Sequence, residues 1–257
     1  ATVNPILPVS VTILADADPV CAGTTVTYTA TPVNGGASPS YQWFVNTVEM
    51  TGFNTDTYAY IPADGDQVYC ILTSSETCQS GGPATSNTLT AAVNPILPVS
   101  VTILADADPV CAGTTVTYTA APVNGGASPS YQWFVNTVEI IGFNTDTYAY
   151  IPANGDQVYC ILTSSETCQS GGPATSNIHT ATVNPLLPVS VTIAADLNDV
   201  CAGTTVTFTA TPVNGGLTPS YQWFVNSVEM IGFNTDTYAY VPADGDQVYC
   251  ILTSSET

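Results

Sequence analysis

Pro39-Ser40-Tyr41-Gln42-Trp43-Phe44-Val45-Asn46 occurs three times in the chain, returning at Pro129–Asn136 and at Pro219–Asn226. Successive side chains of a strand point to opposite faces. Tyr41, Trp43 and Val45 therefore fall on one side, and Gln42, Phe44 and Asn46 on the other. Trp43, with Trp133 and Trp223 at the equivalent positions, is the candidate centre of a core. A single Trp on a middle strand, with a threonine-alternating strand before it and an acidic turn and a Cys-bearing strand after it, is the layout of a two-sheet antiparallel sandwich. Three such Trp predict three sandwiches.

Outward from the Trp strand, Val9–Leu14 reads as a first strand and Thr24–Ala30 as a second, with Val26, Tyr28 and Ala30 facing inward and Gly23 turning between them. After the Trp strand the pattern predicts an irregular or short edge segment at 52–56, a strand at Thr57–Ile61, a tight turn at Asp64-Gly65, a strand at Gln67–Thr73 and a last strand from about Ser86 to Val93. That is about seven strands per sandwich, with no helical periodicity.

Residues 1–90 differ from 91–180 at only seven positions: 2, 31, 50, 51, 64, 88 and 89. A repeat of this length is a whole domain, so each copy is expected to fold by itself. The period divides the chain into 1–6, the tail of a preceding copy; 7–96, the first repeat; 97–186, the second; and 187–257, a third lacking its last strand. Two explanations of the ends stand open: a window from a longer tandem array, or a subunit whose groove receives a neighbour's strand. The linker Val93-Asn94-Pro95-Ile96-Leu97-Pro98 carries two prolines and is expected to be stiff and extended, with Ile96 and Leu97 plugging the junction.

The chain has no Lys or Arg against 20 Asp plus Glu, a formal charge of -20. Salt bridges to Lys or Arg are excluded. A polyanion of this kind repels nucleic acid and anionic lipid and attracts divalent cations. No apolar run is long enough for a membrane span. Eight cysteines in short-stranded β units point to an oxidising, extracellular setting.

Asp16, Asp18, Asp64 and Asp66 are expected at one end of the first sandwich, where the linker leaves. Their counterparts are Asp106, Asp108, Asn154 and Asp156 in the second repeat and Asp196, Asp199, Asp244 and Asp246, with Asn198, in the third. Converging carboxylates with no cation in reach make a hard-oxygen site suited to Ca²⁺; the other reading is that they are ordinary turn residues.

Cysteines recur as Cys21, Cys70 and Cys78, as Cys111, Cys160 and Cys168, and as Cys201 and Cys250. Geometry favours Cys21–Cys70 within a repeat, and likewise Cys111–Cys160 and Cys201–Cys250. The odd cysteine of each of the first two repeats keeps open a bridge between repeats, Cys21–Cys168. The lone His179 stands where the first repeat has Leu89, so it reads as an edge residue and not a catalytic base. Without a recurring His, Lys or Arg, no catalytic constellation emerges. The Thr-rich outer face, including Thr25, Thr27, Thr29, Thr55 and Thr57, lacks any Asn-x-Ser/Thr sequon, so any glycan would be O-linked; a plain Thr-rich β surface is the other reading.

Cys-Ala-Gly-Thr-Thr-Val-Thr-Tyr from Cys21, Tyr-Gln-Trp-Phe-Val-Asn from Tyr41, Gly-Asp-Gln-Val-Tyr-Cys from Gly65 and Pro-Ala-Thr-Ser-Asn from Pro83 resemble the immunoglobulin-like tandem repeats of large secreted surface proteins and adhesins of gliding Bacteroidota. The resemblance implies secretion and a role in adhesion or surface structure. The antibody-type disulfide and tyrosine corner are not implied, because Ala30 and Val68 stand where those features need Cys and Tyr. The expectation is thus a non-enzymatic, stiff stalk or filament at a bacterial cell surface, extended by copies of itself or further repeats end to end. The alternative is a spacer for an adhesin whose tip lies elsewhere.

Overall fold

The computed structural model describes residues 1–256 and is all β, with no helix among them. The chain divides into two compact units: Ala1–Pro109 with Gly113–Thr182, and Val110–Ala112 with the stretch from Val183 on. The first unit carries two sandwiches and the second carries one. The three-repeat reading, 7–96, 97–186 and 187–257, runs on to Thr257, which lies outside the described residues.

In the first sandwich, a three-stranded sheet orders Ser10–Ala15, Val26–Val33 and Thr57–Tyr60. The facing sheet orders Val48–Glu49, Ser40–Val45 and Gln67–Thr73, the last of which pairs with both Ala84–Thr85 and Leu89–Thr90. Every pairing within these two sheets is antiparallel. This is the immunoglobulin-like arrangement. It recurs in the second sandwich around Ser130–Val135 and in the third around Ser220–Val225.

The alternation of the Trp strand decides the packing. Tyr41 and Trp43 are buried, Val45 is half-buried and Gln42 is exposed. Trp43 lies opposite Cys70 in register, both fully buried, and its indole Nε1 donates to the Thr55 carbonyl at 3.0 Å. Trp133 and Trp223 make the same bond to Thr145 and Thr235. On the outer face Phe44 stacks on Tyr69 with centroids 4.9 Å apart, a cross-strand aromatic pair that covers the sheet where the core cannot.

Two elements differ from the sequence expectation. The edge strand is Val48–Glu49, hairpinned to the Trp strand through Asn46 and Thr47, which have φ of 49° and 70°. Two successive left-handed residues make the tight turn that matches strand twist, but the Asn-Thr pair lacks the glycine that usually announces it. The last strand is split at Ser86 and Asn87, where Ser86 N still donates to Cys70 O at 2.9 Å but side chains take over other positions of the ladder. Ser86 Oγ accepts from Cys70 N, while the Asn87 amide bridges to the other sheet, accepting from Ile13 N at 2.8 Å and donating to Ile13 O at 3.1 Å. Asn177 repeats this on Ile103.

Burial pushes the Cys70 and Cys160 thiols up to about 11. The reactive species is the thiolate. At pH 8 both should therefore resist iodoacetamide by at least about a hundredfold relative to exposed Cys201, until denaturant opens the sandwiches. Peptide mass mapping of labelled chain checks this. Since the folded values lie above the ordinary thiol value of 9.0, this contribution to stability is complete below pH 9 and is lost as pH rises through about 11.

Candidate functional site: the junction of the first two sandwiches

Within the first unit the linker is tied down from both sides. Val93–Asn94 pairs in parallel with Val20–Cys21, so that Val20 N donates to Ala92 O at 3.0 Å and Ala22 N to Asn94 O at 2.9 Å. Gly65 N donates to Ala91 O and Ala91 N to Asp66 O. Three residues on, Leu97–Pro98 pairs in parallel with Gln169–Ser170 of the second sandwich, with Leu97 N donating to Cys168 O at 2.9 Å and Val99 N to Ser170 O at 2.8 Å. Asn124 Nδ2 donates to Pro98 O at 2.6 Å. Between the two anchored stretches lie only Pro95 and Ile96, and proline fixes one of the φ angles.

A disulfide closes the junction covalently. Cys21 is bonded to Cys168, their Cα atoms 5.3 Å apart, across 147 residues of sequence. The within-repeat pairing Cys21–Cys70 is not what the structure holds. Cys70 points into the core opposite Trp43, and Cys21 lies on the short strand that faces the linker. In the second repeat Cys160 is likewise core and unbonded; in the third, Cys201 is exposed and Cys250 half-buried, again without a bond between them. Of the two apolar residues expected to plug the junction, Ile96 stays 41 % exposed and Leu97 is half-buried, so hydrogen bonds and the disulfide are the main ties at the junction.

Among the described residues no group of three or more His, Cys, Asp or Glu side chains is placed to hold a metal ion. Most of these carboxylates instead accept hydrogen bonds, chiefly from backbone amides. Asp16 accepts from Thr27 N, as Asp106 does from Thr117 N and Asp196 from Thr207 N. Asp18 accepts from Ala92 N at 2.9 Å and Asp64 from Val93 N at 2.9 Å, both on the linker, and Asp108 accepts from Thr182 N. Asp66 ties the turn together, accepting from Ala63 N, Asn46 Nδ2 and the Tyr60 hydroxyl; Asp156 and Asp246 repeat the set. Burial pulls the Asp156 carboxyl upward, yet the bonds from Ala153, Asn136 and Tyr150 outweigh it and leave it below the ordinary value. The same carboxylates oppose ionisation of their tyrosines. Burial first, then Asp66 and Asp156, raise Tyr60 and Tyr150 well above the ordinary phenol range. Asp199 and Asp244 line an open cleft of the third sandwich together with Asp246.

These bonds set an expectation for Asp64→Ala and Asp18→Ala. A hydrogen bond to a charged acceptor is worth about 1.5–3 kcal/mol, discounted here toward ~1 kcal/mol because both carboxylates are exposed. Each variant should destabilise the first unit by about that much in urea unfolding, equally in calcium and in chelator. A loss seen only with calcium present would mean that the carboxylates act through a cation.

No family model matches the chain. Its sequence is 29 % identical over 240 residues to the highly immunogenic outer capsid protein of Enterobacteria phage T4. The match takes in 82 % of this chain but only 59 % of that protein's length. Solved structures similar to it include the three N-terminal domains of the bacteriophage RB49 highly immunogenic outer capsid protein, at 13 % identity and a TM-score of 0.32, covering 95 % of this chain and 91 % of that one. The N-terminal eight immunoglobulin domains of Down syndrome cell adhesion molecule match at 12 % identity and a TM-score of 0.34, covering 95 % and 42 %.

Residues outside the sequence expectation complete the junction and the sandwich. Asn124 reaches the linker carbonyl of Pro98; Asn34 and Asn214 do the same to Pro8 and Pro188. Their left-handed backbone, with φ of 55°, 52° and 56°, is one that asparagine tolerates better than most residues. His179 is half-buried, its ring edge-on to Tyr118 with centroids 5.4 Å apart and its Nε2 3.2 Å from Asp108 Oδ2. It fills the place of a core-packing Leu89 and sits on a last strand, opposite Val158.

Proposed function

We propose that this chain is a structural protein: a stretch of tandem immunoglobulin-like sandwiches displayed on an exposed outer surface, whose work is to project as a stiffened array. The observation that carries the reading is the first junction, where a disulfide and a ladder of backbone bonds leave only Pro95 and Ile96 untied. A flexible spacer needs neither device.

Of the surfaces available, the sequence similarity favours a capsid exterior, since the relative is by its name an outer capsid protein. The bacterial-surface stalk and the adhesin spacer rest on motif resemblance alone. Immunogold labelling of purified virions and of whole cells, with antibody raised to this chain, separates the readings. Gold on capsid shells supports decoration of a particle. Gold on cell-surface fibres with none on virions would transfer the array to a bacterial surface, and diffuse intracellular label would end the surface reading altogether.

A further inference from the structure

We propose that the outer face of the Trp sheet carries, in each sandwich, a cleft that takes an arginine side chain of a basic partner protein. In the second sandwich this cleft has a volume of about 310 Å³ and is lined by Ser130, Gln132, Glu139, Phe143, Asn144 and Ile161, among others. Ser130, Gln132 and Ile161 belong to the outward-facing sets of two paired strands, with Gln132 opposite Ile161 in register, and they form the floor. The edge strand Val138–Ile140 and the loop that follows it form the wall. The third sandwich repeats the cleft at about 220 Å³, with Ser220, Gln222, Glu229, Phe233 and Asn234 in the same places. The first sandwich has the same residue types at Gln42, Glu49, Phe53 and Asn54.

The chemistry of the cleft selects a cation on a long apolar stem. The Glu139 carboxylate is positioned by the Gln132 amide, whose Nε2 donates to Oε1, as Gln42 does to Glu49 at 3.0 Å and Gln222 to Glu229 at 2.7 Å. That bond leaves Oε2 to accept from a ligand. Phe143 is 44 % exposed, yet its ring is held edge-on to Tyr148 with centroids 5.0 Å apart, so the aromatic wall of the cleft is fixed in advance. Phe53 and Phe233 are held the same way on Tyr58 and Tyr238. One rung along the sheet, Phe134 lies opposite Glu139 and stacks on Tyr159, which extends the aromatic surface beside the carboxylate.

This chain holds no Lys or Arg, so the cation must come from a partner. Arginine suits the cleft better than lysine does. Its flat guanidinium stacks on aromatic rings, and its several N–H groups match the Glu139 carboxylate together with the amide and hydroxyl oxygens of Asn144 and Ser130. Its methylene stem can lie along Ile161 while the charged end stays at the rim. The charge of -20 draws a basic partner from a distance, and recurrence of the cleft lets several weak contacts add as avidity.

The test titrates the whole isotope-labelled chain with acetyl-arginine-methylamide and follows the side-chain amides by nuclear magnetic resonance. The Gln132 and Asn144 signals should move and saturate. The citrulline analogue, which has the same shape without the charge, should leave them in place, and the lysine analogue should bind at least about threefold more weakly. Glu139→Gln should lower arginine affinity at the second cleft at least about tenfold, while the Gln42 and Gln222 signals still respond and show that the chain is folded. Phe143→Leu, which keeps every charge, should weaken binding there by about threefold or more. Asp106→Asn removes one charge from the facing sheet's hairpin while keeping an acceptor for Thr117 N, and should change the affinity by less than about twofold. No saturable shift, an equal response to citrulline or lysine, or undiminished binding in Glu139→Gln or Phe143→Leu would each overturn the proposal. So would a loss in Asp106→Asn as large as that in Glu139→Gln, because binding would then be the general attraction of a polyanion. None of these failures touches the surface-array reading, which rests on the first junction.

Discussion

Replacing Cys21 and Cys168 together by Ser should lower the stability of the first unit by about 2–5 kcal/mol, seen as a fall in its melting temperature on the order of 5–15 °C. The bond closes 147 residues of sequence, and loop-closure entropy alone puts the upper limit near 5 kcal/mol. Competing with it are the linker bonds at Ala91–Asn94 and Leu97–Val99, each worth about 0.5–1.5 kcal/mol net. Those bonds survive the substitution, so the two sandwiches stay folded but lose their covalent clamp. The third sandwich takes no part in this disulfide, and its own transition serves as an internal reference in calorimetry. Small-angle scattering of the same variant should show a broader distribution of lengths. Unchanged melting and unchanged scattering would mean that the hydrogen-bonded linker is sufficient and the disulfide adds nothing.

Much of the fold was legible because a strand's period is two and the chain repeats itself. Tyr41, Trp43, Val26, Tyr28 and Ala30 all lie on the inward side to which alternation assigned them. The hairpin at Asn46-Thr47 was not, since a β-branched residue at positive φ carries no turn signal. Nor was the split of the last strand, because an asparagine that substitutes its side-chain amide for a strand's backbone looks in sequence like any polar loop residue. At the junction, a one-dimensional reading could bring Asp18 and Asp64 to the linker but not say what they would meet. Charge counting suggested a cation, whereas the linker amides of Ala92 and Val93 occupy the carboxylates. Cysteine spacing left two pairings open, and what separates them is that Cys70 faces Trp43 in the core while Cys21 faces outward onto the linker.

Trp223→Ala should unfold the third sandwich at 25 °C, whereas Trp43→Ala should leave the first folded though weakened. Removing a fully buried Trp costs about 3–5 kcal/mol in either place, and each indole also loses its bond to a backbone carbonyl, Thr55 or Thr235. What differs is the reserve. Around Trp43, the residues Val11, Ile13, Tyr28, Tyr41 and Cys70 are buried, and Asn87 ties the two sheets together. Around Trp223 the buried cluster is Ala210 and Tyr238, while Val191, Ile193, Phe208, Tyr221 and Cys250 remain half-exposed. Each apolar group left in water forgoes roughly 25 cal/mol per Å². A sandwich starting near the low end of the ordinary 5–15 kcal/mol cannot absorb the loss of its central side chain, and one with a closed core can. Thermolysin digestion with mass mapping distinguishes them: cleavage within Val248–Thr253 for Trp223→Ala, and protection of Gln67–Thr73 for Trp43→Ala. Equal susceptibility of the two strands would show that the half-exposed positions of the third sandwich contribute as much as the buried ones of the first, and the ranking of the two cores drawn from their burial would be wrong.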